Sequence, residues 1–489
     1  MHDEAMDAMD ASASGQRAGG SAGQAAAAPS VGTGGNGAVV LVSTAAALGG
    51  FLFGYDTSVI NGTVDAIEAR FNMSSGLLGF VVSSALLGSV VGAWFAGPLA
   101  DRFGRVRVMI VAAIFFAVSA VGSGLATSPI DLTLWRILGG LAVGAASVIA
   151  PAYIAEMAPA HLRGRLGSLQ QLAIVFGIFV ALLVDALLAE VAGGAAEDVP
   201  WGGAAWRWMF ISAAIPAFVY GVISLQIPES PRYLVRKGRL SKAREVLVKY
   251  VGGDVDERIR DIQRSLAGNE EKVVLRDLRG PRLGLLPIVW VGILLSVFQQ
   301  FVGINVIFYY STTLWRSVGF SESNSLLITV ITSVTNIVTT LIAIALIDKI
   351  GRKPLLIIGA SGMVVTLGVM SYCFSNATGS GNDVHLGQPY GTIALIAANL
   401  YVVAFGMSWG PVVWVLLGEM FNNRIRATAL AVAAAAQWLA NWAISTSFPT
   451  LANIGLSFAY GLYTIFAALA LIFVTMAVKE TKGRELEDM

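Results

Sequence analysis

The chain of 489 residues is 56% apolar and only 13% charged, and its mean hydropathy is +0.71. Soluble domains are about 45–50% apolar and about 25% charged, so this composition excludes a string of soluble domains and indicates a protein whose solvent is a bilayer. The net charge of +1 offers no basic excess for nucleic acid, and one cysteine with three histidines excludes a disulfide framework or a Cys/His metal cluster.

The chain begins with residues 1–37, which are rich in alanine, glycine and serine, so this tail is predicted to be disordered. No charged stretch with an apolar core and a cleavage site precedes Val39, and no signal peptide is expected. Twelve apolar segments follow, each long enough to cross a bilayer as a helix that satisfies its own backbone. Their predicted bounds are 38–62, 77–99, 107–127, 131–157, 166–189, 206–227, 284–315, 323–347, 354–376, 392–417, 426–448 and 457–478.

Basic residues are distributed unevenly between the connections of these segments. Of the 32 lysines and arginines, 28 lie in the two tails and in the loops after segments two, four, six, eight and ten, whereas 3 lie in the other loops. The positive-inside rule therefore predicts that both termini and the long loop 228–283 are cytoplasmic. Charges at helical spacing over Leu240–Val251 and Val255–Leu266 predict short surface helices in that loop.

Charged motifs recur once in every six segments. Asp101-Arg102-Phe103-Gly104-Arg105 after the second segment corresponds to Asp348-Lys349-Ile350-Gly351-Arg352 after the eighth. The repeat predicts two pseudo-symmetric six-helix halves, 38–227 and 284–478, with a short cytoplasmic tail, 479–489, and a substrate site between the halves. We expect the repeated charges to latch the halves together on the cytoplasmic side when the protein faces outward; the alternative is that they only fix loops. These residues are Asp101, Arg102, Arg105, Glu156, Arg163, Glu229, Asp348, Arg352, Glu419, Arg426 and Glu480.

Several motifs resemble those of the sugar porters of the major facilitator superfamily. The likeness is carried by Phe51-Leu-Phe-Gly-Tyr-Asp56 in the first segment, Pro228-Glu-Ser-Pro-Arg232 after the sixth and Gln299-Gln-x2-Gly-Ile-Asn305 in the seventh. It extends from about residue 38 to the end and is strongest to bacterial sugar–proton symporters, namely the xylose–proton symporter and the actinobacterial glucose permeases. The resemblance implies an all-α membrane protein with twelve transmembrane helices in two six-helix bundles, the major facilitator fold.

The resemblance also implies a monosaccharide site built from amides and aromatic rings of both halves. The chemistry of these side chains agrees, because amides both donate to and accept from hydroxyl groups and an aromatic ring covers an apolar sugar face. For any single buried amide, the alternative is a hydrogen bond between helices. The predicted substrate-binding residues are Phe53, Gln171, Gln299, Gln300, Asn305, Tyr309, Asn336, Trp414, Gln437, Trp438 and Asn441.

The seventh segment cannot direct all of its amides into one cavity as a straight helix. Gln299 and Asn305 would lie about 120° apart around the helix axis. Gly303 stands between them, and a broken helix is tolerated inside a membrane where it lines a cavity. We therefore expect a break at Gly303 that turns Asn305 inward.

Asp56 in the first segment and Arg136 in the fourth are predicted to lie at similar depth in the bilayer. Ionisable residues at such positions are rare and usually functional, and a buried arginine is costly without a partner, so the two are expected to pair. The functional interpretation is a proton site whose protonation releases Arg136, and the alternative is a purely structural pair. Two departures from the xylose symporter stand out: Ala213 replaces a glutamate implicated in coupling, and Ile178 replaces a sugar-contacting glutamine, as in glucose carriers.

The sequence thus predicts a proton-coupled symporter that imports a monosaccharide, a hexose such as glucose, by alternating access. It is expected to be a monomer in a bacterial plasma membrane, with the proton as coupling ion, no cofactor, no nucleic-acid partner and no enzymatic activity. A uniporter of the same fold is the first alternative. The second is a transporter-like sugar sensor, which would need an extended signalling domain that the sequence does not show.

Overall fold

The structure is a computed structural model that describes residues 35–158, 163–251, 254–267, 278–280, 284–378, 385–421 and 425–481. Most of the predicted N-terminal tail and residues 482–489 therefore lie outside the described residues. Within them the chain folds into helices joined by short connections. In the first half these are α1 (Gly35–Ser58), α2 (Val64–Phe71), α3 (Ser75–Phe103), α4 (Arg105–Leu125), α5 (Pro129–Met157), α6 (Arg163–Ala192), α7 (Ala205–Ser212) and α8 (Ala214–Ser224).

A linker of short helices connects this half to the second one, as the charge spacing predicts. The linker helices are α9 (Pro231–Arg236), α10 (Leu240–Val246) and α11 (Val255–Ala267). The second half consists of α12 (Pro287–Phe301), α13 (Ile304–Ser317), α14 (Glu322–Ile350), α15 (Arg352–Ser375), α16 (Tyr390–Gly406), α17 (Trp409–Met420), α18 (Arg426–Ile454) and α19 (Leu456–Ala477).

Eleven helical stretches in the described part are long and apolar enough to cross a membrane, and each coincides with a predicted segment. The remaining predicted segment, 426–448, is the 29-residue helix α18, which carries two amides, Gln437 and Asn441. Polar residues that face a neighbouring helix or a cavity lower the hydropathy of a span without preventing it from crossing. Large apolar side chains such as Ile215 and Phe218 are 70% and 71% exposed, as expected for a surface that faces lipid.

Helix packing repeats between the halves. In the first half α1 packs on α6 and α4 packs on α8, and the corresponding pairs of the second half are α12 with α18 and α15 with α19. Between the halves, α3 packs on α18 and α6 packs on α14, which again are equivalent pairs. This pseudo-two-fold arrangement is the one that the repeated charged motifs predict.

Two ends of the helix bundle are distinguished by their residues. The basic end comprises residues 101–105, 156–158, 226–251, 254–267, 348–353, 419–421 and 478–481, and the far end comprises residues 59–74, 126–128, 193–204, 318–321 and 376–378. At or near the far end, hydrogen bonds join the two halves. These pairs are Asn61 with Phe308 and Thr312, Asp65 with Thr313 and Arg316, Ser75 with Asn453, Ser83 with Thr446, and Ala195 with Glu322.

Candidate functional site

A cavity lies between the two halves. It encloses about 120 Å³, roughly ten times the space that one water molecule requires. All eleven residues that the sequence analysis names as substrate-binding residues line it. Ten further lining residues were not predicted, namely Thr57, Ile174, Val175, Ile178, Ile304, Phe308, Thr340, Phe405, Gly406 and Gly410. Helix periodicity could have predicted three of these residues, because Ile174, Val175 and Ile178 share one face of α6 with Gln171.

The seventh predicted segment is broken at the expected place. Helix α12 ends at Phe301, Gly303 has φ +86°, and α13 begins at Ile304. The left-handed conformation at Gly303 turns the chain, so that the side-chain nitrogen of Asn305 donates to the side-chain oxygen of Gln300 at 2.5 Å. The break therefore brings the two amides to one wall of the cavity.

The tenth predicted segment is also broken, and the sequence analysis did not anticipate this. Helix α16 ends at Gly406 and α17 begins at Trp409. The side-chain nitrogen of Gln299 donates to the backbone carbonyl of Trp409 at 2.8 Å. Gln299 thus lines the cavity, but its donor is engaged with α17, which ties the two broken helices of the second half together. Two glycines and a proline lie close together here, at Gly406, Gly410 and Pro411, and this cluster could have predicted the break.

Helix α18 carries a row of polar groups into the cavity. Asn441 donates to the hydroxyl of Tyr309 at 3.4 Å and accepts a hydrogen bond from Ser445 at 3.1 Å. Four residues earlier, the side-chain oxygen of Gln437 is buried and has no hydrogen-bond partner within the described ranges. A buried acceptor without a partner costs about 1–3 kcal/mol, so Gln437 favours a ligand that can donate a hydrogen bond.

Aromatic rings from both halves close around these amides. The rings of Phe53 on α1 and Trp438 on α18 lie 5.3 Å apart between centroids. Trp414 lines the same cavity and is 39% exposed, so the cavity wall reaches solvent-accessible space there. Asn336 of α14 completes the predicted set and is buried. The site thus combines neutral amides with aromatic platforms.

The structure brings Asp56 and Arg136 together inside the first half. A guanidinium nitrogen of Arg136 lies 3.3 Å from the carboxylate of Asp56 and 3.1 Å from its backbone carbonyl. Both residues are buried, and Arg136 also lies over the ring of Phe210 at 5.9 Å. Thr57, the next residue after Asp56, lines the cavity. The pair is therefore one residue removed from the cavity wall.

The repeated charges form two equivalent networks at the basic end. In the first half, Arg105 contacts Asp101 at 3.2 Å and Glu156 at 2.9 Å. In the second half, Arg352 forms a bidentate contact with Glu419, at 2.7 and 3.0 Å. Each of these contacts lies within one half. The inter-half latch that the sequence analysis expects for an outward-facing protein is thus not tested by this conformation.

Next to each network, a carboxylate from a distant part of the chain caps the N-terminus of a helix. Glu229 accepts from the backbone N–H groups of Arg105 and Val106, at 2.9 and 3.3 Å, in the first turn of α4. Glu480 does the same for Arg352 and Lys353, at 3.0 and 2.9 Å, in the first turn of α15. A carboxylate at a helix N-terminus is stabilised by free N–H groups and by the helix dipole.

Burial raises the pKa of the Glu229 carboxyl above its ordinary value. The N–H groups of Ser230, Arg105 and Val106 and the guanidinium of Arg105 act in the opposite direction and reduce the shift. Arg102 has an exposed side chain, and its backbone carbonyl accepts a hydrogen bond from the Tyr233 hydroxyl. The side chains of Arg163, Asp348 and Arg426 lie outside the described part of the structure.

The chain matches the family model for sugar (and other) transporters over residues 42–489. It is 58% identical over 454 residues to the glucose transport protein of Synechocystis, covering 92% of this chain and 97% of that one. It is 39% identical over 485 residues to the D-xylose–proton symporter of Escherichia coli K12, covering 92% and 94%. The chain belongs to the sugar transporter family. It is therefore a multi-pass membrane protein and a monosaccharide transporter, and not an enzyme.

Solved structures of the xylose transporter of E. coli share this fold. The partially occluded inward-open structure matches with a TM-score of 0.79 at 37% identity, over 92% of this chain and all of that one. The structure bound to 6-bromo-6-deoxy-D-glucose matches with a TM-score of 0.75 at 38% identity, over 92% and 98%. Of these two matches, the partially occluded inward-open structure has the higher TM-score.

Proposed function

We propose that this sugar transporter imports a hexose, such as glucose, together with protons, by alternating access between its two halves. The observation that carries the proposal is the cavity between the halves, which is lined by seven amides and six aromatic rings. The amides are Gln171, Gln299, Gln300, Asn305, Asn336, Gln437 and Asn441, and the rings are Phe53, Phe308, Tyr309, Phe405, Trp414 and Trp438. Neutral amides match hydroxyl groups as donors and acceptors, and rings match the apolar face of a sugar. Two relatives, a glucose transport protein and a D-xylose–proton symporter, support this class of substrate.

Two observations favour a hexose over xylose. Ile178 presents an apolar side chain to the cavity, at a position where the resemblance to the xylose symporter implies a glutamine in that protein. The more similar of the two relatives is a glucose transport protein. Losing one hydrogen bond to a hydroxyl costs about 0.5–1.5 kcal/mol, so we expect the preference for glucose over xylose to be several-fold.

Asp56 is the proposed proton site. Inside the bilayer its carboxylate is stabilised chiefly by Arg136, at 3.3 Å. Protonation would neutralise Asp56 and release the guanidinium of Arg136 from the carboxylate, while its contacts with the Asp56 carbonyl and the ring of Phe210 remain. Coupling requires the two conformations of the transporter to prefer different protonation states of this pair.

By the positive-inside rule, we place the basic end and both termini in the cytoplasm. The structure then corresponds to a conformation closed at the outside, in which sugar and proton leave towards the cell interior. On the cytoplasmic side, the two charge networks would meet across the halves when the transporter turns outward. We expect a single chain to suffice for this cycle, because the cavity is complete within one chain.

A uniporter is the second candidate, and Ala213 favours it. The xylose symporter has a second acid at this position, and here the residue is a buried alanine. In a uniporter the Asp56–Arg136 pair would be structural only. The two candidates differ in one measurable property, which is accumulation of sugar against its own gradient.

Purified transporter in proteoliposomes tests the proposal directly. We expect labelled glucose to accumulate above its external concentration when the outside is made acidic, and not to do so without a pH gradient. Unlabelled glucose should compete better than xylose. Saturable glucose uptake that ignores the imposed pH gradient would support the uniporter, and uptake of xylose that excess glucose leaves unchanged would refute the hexose preference.

A further inference from the structure

A second carboxylate is buried in the first half, apart from the Asp56–Arg136 pair. Asp185 of α6 is 0% exposed. One of its carboxylate oxygens accepts from the backbone N–H of Gly62 at 3.2 Å. The other oxygen is buried and has no hydrogen-bond partner in the part of the chain that the structure describes. Asp185 was not among the predicted site residues, although it is the one acid within the predicted fifth segment, 166–189.

The elements that pack against α6 bring no described cation to Asp185. Helix α1 brings Tyr55 near Asp185, and the Tyr55 hydroxyl forms a hydrogen bond with the Ser212 hydroxyl at 2.7 Å. The short 3-10 turn Asn61–Thr63 contains no titratable residue. The charged groups of α1, α5, α7 and α14 near the far end are engaged elsewhere: Asp56 with Arg136, Arg207 with the carbonyls of Gly124 and Ala126, and Glu322 with Ala195 and Arg316.

An ionised carboxylate in this position would be costly. Removing a charge from water costs more free energy than a single backbone hydrogen bond returns. We propose that Asp185 holds a proton while the far end is closed and releases it to water when the far end opens, so that it acts as a proton-dependent latch on that end.

The contacts of the Asn61–Thr63 turn explain how protonation would act on the closure. This turn is held to α6 through Gly62 and Asp185, and it is held to the other half through Asn61. The side chain of Asn61 donates to the carbonyl of Phe308 at 2.9 Å and accepts from Thr312 at 2.5 Å. Opening the far end must break the Asn61 contacts and admits water towards Asp185. Water stabilises the ionised acid, so a high pH favours the open form.

The inference rests on the proposed alternating access but not on proton coupling. The proton of Asp185 is taken from the solution at the far end on closing and returned to the same solution on opening. It is therefore not transported, and the latch would operate in a uniporter as well. Because one proton is bound per closing event, the ratio of closed to open molecules changes by up to about tenfold per pH unit.

A distance measurement without sugar tests the latch separately from transport. Ala69 of α2 and Asn324 of α14 are exposed at the far end on opposite halves. They would be replaced by cysteine in a Cys373→Ala background and spin-labelled, and the distance distribution would be recorded in nanodiscs between about pH 5 and pH 8. The Asp56→Asn background removes the other buried acid. Asp198→Asn, which replaces an exposed acid at the far end, is the control.

In the Asp56→Asn background, the closed fraction should fall as the pH rises, and Asp198→Asn should leave that dependence in place. Adding Asp185→Asn should raise the closed fraction at the highest pH at least threefold and make it independent of pH. Asp185→Ser is a second neutral variant in case the asparagine variant folds poorly. A closed fraction that is already independent of pH in Asp56→Asn, or a dependence that survives both neutral variants, would overturn the latch. Neither result depends on whether the protein moves hexose.

Discussion

The side-chain nitrogen of Asn305 lies 2.5 Å from the side-chain oxygen of Gln300, across the helix break at Gly303. Five residues along an unbroken helix would place these side chains on different faces. The break therefore converts a sequence of scattered amides into a pair that is already oriented towards the cavity before sugar arrives. Pre-orientation of this kind reduces the entropy that binding must overcome.

Removing either amide should weaken sugar binding. We expect Gln300→Ala and Asn305→Ala each to raise the half-saturation concentration at least tenfold, which corresponds to about 1.4 kcal/mol. Asn399→Ala is the matched control, because this amide of α16 bonds to Leu395 and Thr335 and does not line the cavity. Glucose uptake measured as a function of glucose concentration gives the half-saturation concentration of each variant. Unchanged half-saturation in both cavity variants would mean that these amides serve only to pack helices.

Restoring a polar group at position 178 should change the substrate preference. Ile178→Gln would place an amide on the cavity wall, where it gains a hydrogen bond worth about 0.5–1.5 kcal/mol with a bound hydroxyl. We expect xylose to compete with labelled glucose several-fold better in this variant than in the wild type. Ile215→Gln, on the exposed outer surface, is the control for the change of residue type. An identical ranking of the two sugars in Ile178→Gln would contradict the prediction.

The proton site is tested by a substitution that keeps the shape of the side chain. Asp56→Asn cannot carry the proton, so it should abolish accumulation of sugar driven by an imposed pH gradient while leaving sugar exchange between loaded vesicles intact. Asp131→Asn, at the start of the helix that carries Arg136, is the control and should accumulate sugar normally. If Asp56→Asn still concentrates sugar under a pH gradient, Asp56 is not the proton carrier.

The glycines between α3 and α4 and between α14 and α15 should resist substitution. Gly104 (φ +102°, ψ 157°) and Gly351 (φ +106°, ψ 164°) occupy a backbone region that is essentially restricted to glycine, and an added Cβ would meet the carboxylate of Glu229 or Glu480. Gly104→Ala and Gly351→Ala should each lower the free energy of unfolding by about 1–3 kcal/mol.

Gly97→Ala supplies the comparison for these two variants. Gly97 lies within α3, and nothing lies within 4 Å of an added Cβ. Alanine favours a helix over glycine by up to about 1 kcal/mol, so this variant should be neutral or more stable. Thermal unfolding in detergent would compare all three proteins. Equal melting temperatures for Gly104→Ala and Gly97→Ala would show that the carboxylate does not occupy the space that the structure assigns to it.

The stability of the basic end should depend on pH through Glu229. Burial raises the pKa of this acid in the folded protein, so the folded state binds its proton more tightly than the unfolded state does. The contribution of Glu229 to stability should therefore fall as the pH rises from the ordinary glutamate value of about 4.3 through the raised value, and stay constant above it. Glu229→Gln cannot titrate.

The difference in unfolding temperature between the wild type and Glu229→Gln, measured in steps from about pH 4 to pH 7, reports this effect. We expect the wild type to lose stability relative to the variant as the pH rises. A difference that is constant over the range would show that Glu229 has the same affinity for its proton in both states.

The membrane helices and their repeat are determined by the sequence alone. Hydropathy acts locally, so eleven predicted segments coincide with helices that can cross a bilayer, and α18 is present despite Gln437 and Asn441. The break at Gly303 was also predictable, because helix geometry shows that Gln299 and Asn305 cannot face one cavity otherwise. The recurrence of the charged motifs is likewise a property of the sequence, but the sequence led us to expect a latch between the halves, whereas the contacts of Arg105 with Glu156 and of Arg352 with Glu419 lie within one half each.

Other features are decided by contacts between residues that are distant in the chain. The break between α16 and α17 is stabilised by Gln299, more than 100 residues earlier, through the carbonyl of Trp409. Asp56 and Asp185 are both lone acids in apolar segments. Only the packing of the helices gives Asp56 the partner Arg136 and leaves Asp185 without a cation among the residues that the structure describes. Local sequence patterns report which residues enter the membrane, whereas the electrostatic environment of each acid depends on which neighbouring helices surround it.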